Sequence, residues 1–164
     1  MTAVEAAVGT AIVSSMLAVA VPAFVRELHA SRLTEAVSGL QRLGTGAVAY
    51  AHDRPALEAI PPSAPLTPSV VPRGTLVVDP PGTWETPTWT ALGFRASPEG
   101  TPHAFSFAFD APGPTRSAFV AHAHGDLDGN GITSTFEIRG HTTSGPSGSV
   151  VELQPGMYVE SEIE

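Results

Sequence analysis

The chain has 164 residues, a length that sets one domain as the starting expectation. Its formal charge is −8, all eight basic residues are arginine, and no basic face is available to displace nucleic-acid counterions. The absence of cysteine excludes disulfides, thiolate metal sites and cysteine nucleophiles. Sixteen glycines and sixteen prolines place much of the chain in turns and loops, and the glycines follow no collagen period.

Residues 6–25 (AAVGTAIVSSMLAVAVPAFV) are twenty residues without a charge, the length a helix needs to cross a bilayer. The run is too long for the apolar part of a cleaved signal peptide and lacks a basic start. It predicts a hydrophobic helix of membrane-spanning length over residues 1–25. Glu5 stands just ahead of the run, where a lone carboxylate in lipid is costly and calls for a partner. Pro22 removes one backbone hydrogen bond and predicts a kink or local loosening.

After Val25 the pattern turns amphipathic. Leu28, Leu33, Val37, Leu40, Leu43, Ala47 and Tyr50 recur at nearly helical spacing, between Arg26, Glu27, Arg32, Glu35, Ser38, Gln41 and Arg42. The helix is therefore expected to continue over 26–52, with Gly39, Gly44 and Gly46 weakening its end. Residues 53–164 read as a third region, a globular domain of antiparallel strands behind a proline-rich connection. Prolines crowd 55–87, with one short strand expected at Thr75–Val78. A short apolar segment, Trp89–Phe94, follows. Then come three β segments: His103–Asp110, which alternates Phe105, Phe107 and Phe109 on one face, Ser117–His124, and Ile132–Arg139. A glycine-serine loop at Thr142–Ser149 precedes Val150–Leu153 and the acidic end Met157–Glu164.

Two constellations could carry chemistry. Asp126, Asp128 and Asn130, with Gly131 and Glu137, fit D-x-D-x-N-G-x5-E, the calcium-loop spacing in which hard oxygens surround the ion and glycine permits the sharp turn. Strands instead of helices flank it, so a plain hairpin turn at Asp-Gly and Asn-Gly is the competing reading. His122 and His124 share one strand face, and His103 and His141 are candidates to lie nearby. Solvent-facing strand histidines are the simpler account than a metal site, since no third ligand has a known spacing. No hydrolase elbow, phosphate loop or zincin motif occurs, and the chain is expected not to be an enzyme.

Thr2, Val4, Glu5, the uncharged run and Pro22 together resemble the mature N-terminal segment of type IV pilins and pseudopilins. Met1 and Ala3 stand where that family usually has Phe and Leu. More loosely, Trp89–Phe94 and the AHAHGDLDGNGITSTFEIRG stretch are similar to pilin-like proteins of high-GC Gram-negative bacteria. The resemblance implies an α+β fold, with a long N-terminal helix packed on a small antiparallel β-sheet. Its first half would span the membrane and its second half would be amphipathic. It implies processing and methylation at Met1 by prepilin peptidase, and subunit–subunit assembly through Glu5 and Pro22. The partners would be other pilin copies, the inner membrane before assembly, and the pilus machinery. The globular part would be periplasmic before assembly, and the subunit would end in an extracellular pilus or periplasmic pseudopilus. The alternative is a membrane-anchored periplasmic binding domain that does not polymerise, with calcium as its possible ligand.

Overall fold

The computed structural model describes residues 2–52, 54–113, 116–145 and 148–161, without the side chains of residues 3, 6, 9, 25–31, 144, 145 and 148. Met1, the expected processing site, lies outside the described residues. The contacts divide the chain into two compact units, 1–32 and 33–164.

Helix α1 runs Ala3–Ala51. Thr2 and Glu5 form a capping box at its start: Glu5 Oε2 accepts from Thr2 N (2.7 Å) and Thr2 Oγ1 accepts from Glu5 N (3.3 Å). Pro22 sits inside α1, which continues through it. In the first unit Val8, Ile12, Val13, Met16, Leu17, Val21 and Phe24 are all exposed.

Among the described residues no helix is long and apolar enough to cross a membrane. The expected membrane-spanning first half is corrected on this finding. So are the inner-membrane placement, the periplasmic domain before assembly, and the cellular locations drawn from them. The physical reason lies in composition. Of the twenty residues 6–25, six are alanine and five valine, and Gly9, Thr10, Ser14, Ser15 and Pro22 lower the mean apolarity of the run. The fold class is corrected with it, because the sheet is also larger than the three or four strands the sequence suggests.

The second unit is built on a six-stranded antiparallel sheet of order β1-β2-β3-β4-β5, with β6 also paired to β4. The strands are β1 (Ala64–Thr67), β2 (Phe105–Asp110), β3 (Ala118–Gly125), β4 (Ser134–Gly145), β5 (Gly148–Leu153) and β6 (Tyr158–Glu160). β4 is long enough to serve two partners along one edge: Thr135–Glu137 pair with β6, and Gly140–Gly145 pair with β5. Most of the expected glycine-serine loop is thus strand, because β4 and β5 zip together up to Gly145 and Gly148. The expected strand at Thr75–Val78 is reduced to one isolated bridge, Val77 to His103, and a second bridge, Arg73 to Asp126, lies just before it.

Helix residues Ala36, Leu40, Leu43, Ala47 and Ala51 are buried against Phe105, Phe107, Phe109, Phe119 and Phe136. This face is shifted from the expected stripe, since Val37 and Tyr50 are only half-buried while Gly39 and Gly44 are buried. The glycines explain the shift. A Cβ on Gly39 would meet the Phe107 ring at 2.5 Å, and one on Gly44 would meet Leu153 Cδ1 at 2.9 Å. Ring and leucine therefore rest on bare backbone, and these glycines serve close packing where the sequence suggested only a weakened helix.

The proline-rich connection supplies a second wall. Its short helix α2 (Pro87–Leu92) starts at the N-cap Thr86 and has proline in its first turn. It ends at Gly93 in the left-handed conformation, with Phe94 N bonded to Trp89 O (2.9 Å). Trp84, Trp89, Phe94 and Phe107 form one aromatic group, with ring centroids 5.1 Å apart for the Phe94–Phe107 pair and 5.4 Å for Trp84–Trp89. The two indole N–H groups donate to Asp79 and Thr67, so neither tryptophan carries an unpaired donor inward.

Candidate functional site

Among the described residues, α1 in the first unit carries the longest run of exposed apolar side chains. Val4 is 72% and Val19 73% exposed, and Met16, Leu17 and Phe24 each exceed half. Isolated exposed apolar residues need no explanation, whereas here a run of them occupies one helix. Glu5 lies at its head. Its described hydrogen bond is local, to Thr2 N, which gives the residue a structural role that the spacing Thr2-x-x-Glu5 already signals.

The Asp126–Gly131 loop connects β3 to β4. Asp126, buried, accepts from Gly129 N (2.8 Å) and Gly131 N (3.0 Å), and Arg73 Nε lies 3.9 Å from the same carboxylate. Asp128 accepts from Asn130 N and Nδ2, and Asn130 Oδ1 accepts from Ile132 N (2.6 Å). The oxygens of Asp126, Asp128 and Asn130 therefore come together in one loop, and the loop's own N–H groups engage them. Gly129 and Gly131 take positive φ (80° and 93°), which is the conformational reason glycine stands at both. Glu137 does not join them. It lies on β4 opposite His122, 3.3 Å from His122 Nδ1, and accepts from Arg139 (3.1 Å). The strand carries it away from the loop, so the twelfth position of the calcium pattern is not brought back to the first. Among the described residues no group of three or more His, Asp or Glu side chains is arranged to hold a metal ion.

His103 is not near His122 and His124. It is buried at the head of β2, where Nδ1 donates to Phe105 O (2.9 Å) and Nε2 faces Asp79 Oδ2 (2.8 Å). Beside it the Glu35 carboxylate of α1 accepts from Ala104 N and Phe105 N, each at 3.1 Å. Burial raises the Glu35 pKa above its ordinary value, and these two N–H groups, His103 and Arg42 partly oppose the rise. Arg42 donates to Arg95 O (3.0 Å) and Ala96 O (2.8 Å) and lies over the Phe94 ring. Together Glu35, Arg42, Asp79 and His103 fasten the second half of α1 to β2 and to the proline-rich segment. The sequence shows Glu35 and Arg42 only as polar residues between apolar ones, and no local pattern marks them as anchors to distant backbone.

No family model, curated protein or solved structure matches the chain.

Proposed function

We propose that this chain is a structural subunit of a type IV pilus or related filament, assembled through its N-terminal helix after prepilin peptidase processing. The observation that carries this reading is the run of exposed apolar side chains from Val4 to Phe24. Burying one such side chain fully is worth about 1.5–3 kcal/mol, so helices of many copies packed side by side gain a large driving force. The order Thr2, Val4, Glu5, uncharged run, Pro22 supports the same reading, because it places a single carboxylate at the head of a surface that would become buried. A buried carboxylate needs a compensating charge, and the amino group of a neighbouring copy is the partner this mechanism requires.

The capping box makes the test selective. Glutamine at position 5 retains an oxygen to accept from Thr2 N, but carries no charge. Leu17→Asp places a charge in the middle of the apolar surface. Both variants are expected to fold, and both are expected to be missing from sheared filaments viewed by electron microscopy and immunoblot. Normal incorporation of Leu17→Asp would overturn the helix-packing reading. Normal incorporation of Glu5→Gln would remove charge pairing from the mechanism and leave Glu5 as a helix cap.

A further inference from the structure

The two outer edges of the sheet differ. β1 is blunted: Pro65 lacks an N–H, and the register with β2 slips between Ala64 and Thr67. β5 closes the other side, and no described strand pairs with its outer edge. It carries none of the usual guards against pairing. It has no proline and no lysine, its one charge is Glu152, and its register with β4 is regular from Gly148 to Leu153. Beyond β5 the edge is broken. Leu153 stands opposite Gly140 and Tyr158 opposite Glu137, so the ladder shifts across Pro155 and Gly156, the latter at φ 92°.

Two hydrogen bonds fix which backbone groups of β5 point outward. Gln154 N donates to Arg139 O (2.8 Å), and Thr142 N donates away from β5, to Ser117 O (2.8 Å). Bonded and non-bonded pairs alternate along an antiparallel ladder. Glu152 and Val150, opposite His141 and Thr143, therefore turn N–H and C=O toward β4. Ser149, Val151 and Leu153 turn theirs outward. The side chains beside this edge are partly apolar: Val150 is 45% and Leu153 43% exposed. They lie on opposite faces, Val150 beside Thr143 and Leu153 against Gly44 of α1. An added strand would satisfy the outward groups and cover both side chains, the mode in which main-chain bonds hold a strand and side chains set its register.

We propose that β5 of a second copy occupies this edge, antiparallel, with the two-fold axis at Val151. The chain's own edges select this partner. Blunted β1 offers no clean ladder for head-to-tail addition, whereas identical β5 strands pair symmetrically and close. Centring on Val151 pairs Val151 with its own copy and Ser149 with the partner's Leu153, which uses all three outward residues. It also sets Val150 opposite the partner's Glu152, so no like charges meet. Centring on Glu152 would put two carboxylates face to face. Centring on Val150 would leave Leu153 without a partner in β5. The pairing involves the second unit alone and does not rest on the filament reading.

The chain has no cysteine, so introduced thiols report the register without background. Full-length Val150→Cys and Glu152→Cys chains are oxidised separately and as a mixture, and covalent dimer is read on a non-reducing gel. Opposite residues of a non-hydrogen-bonded pair have Cα atoms about 4.5 Å apart, within disulfide reach, whereas diagonal neighbours stand about 7–8 Å apart. Covalent dimer is expected in the mixture and in neither chain alone. Ser149→Pro, added to both chains, removes one outward N–H and leaves the ladder to β4 intact. It is expected to abolish the mixed dimer with the melting temperature unchanged. A mixture that cross-links no better than the single variants overturns the proposal. Cross-linking that survives Ser149→Pro overturns it too, because the contact would not then use the backbone of this edge. Collisions through the exposed surface of α1 would cross-link the single variants equally, so failure here is distinguishable from failure of the filament reading.

Discussion

Glu35 is the residue whose chemistry departs furthest from its appearance in the chain. On a helix facing solvent it would be an ordinary carboxylate, but here it accepts the N–H groups of Ala104 and Phe105 where β2 begins. Because burial raises its pKa, the folded state holds the Glu35 proton more tightly than the unfolded chain does. Its contribution to stability is therefore greatest at acid pH and declines as pH rises through the raised value. The difference in urea stability between wild type and Glu35→Gln is expected to move in favour of wild type between about pH 7 and about pH 4. A difference that stays constant would show that Glu35 acts only as an acceptor. Glu35→Ala strands two buried N–H groups and is expected to cost about 1–3 kcal/mol for each, measurable by the same denaturation. His103 belongs to the same group. Replacing it with Ala takes the ring away from Phe105 O and Asp79, and the expected loss is about 1–3 kcal/mol for each group left without that partner.

Elements were legible to different degrees, for reasons visible in particular residues. The strands around Phe105–Asp110 and Ala118–Gly125 could be read because alternation of large and small side chains is local information. β1 could not, since Ala64-Pro65-Leu66-Thr67 carries a proline and owes its strand state to pairing with Phe107 and Phe109 on β2. β6 is likewise a strand because β4 offers it an edge, and its three residues are all exposed. Helix α2 could have been read from Thr86, Pro87 and Gly93, which mark its start and stop, although the segment reads first as merely apolar. In α1, the glycines carry a consequence that helix propensity alone gets backwards. Gly39→Ala gains about 1 kcal/mol of propensity in an exposed helix. Here its Cβ collides with the Phe107 ring, and net destabilisation of about 1–3 kcal/mol is expected. Phe107→Ala should relieve that collision, so the double variant is expected to be less destabilised than the sum of the singles in a thermal double-mutant cycle.

For the whole molecule, the division after Arg32 has an experimental consequence. The buried core lies within 33–164 and draws on no described residue of the first unit. Residues 33–164 expressed alone are expected to unfold cooperatively, with the same denaturant midpoint as the full chain. A large drop would show that residues before Leu33 contribute to the core. The same fragment lacks Val4 to Phe24 and, on the filament reading, is expected to stay out of assemblies formed by the full chain. Calcium is a separate question. The Asp126–Asn130 oxygens already accept N–H groups of their own loop, so millimolar calcium is expected to leave the melting temperature unchanged; a clear rise would show that the loop rearranges around the ion.

By itself the sequence determined what depends on near neighbours. It carried the helical periodicity, the alternation of β2 and β3, the chemistry excluded by missing cysteine and missing lysine, and the Thr2–Glu5 cap. Only the tertiary structure decided what depends on which distant backbone comes close. It placed rings against Gly39 and Gly44, turned Glu35 and His103 into anchors, drew Glu137 away from the Asp126 loop to His122, and made a strand of a proline-bearing segment. The reason is that a hydrogen-bond acceptor or a van der Waals contact acts over a few ångströms in space, and residues dozens of positions apart share that distance only after the sheet has formed.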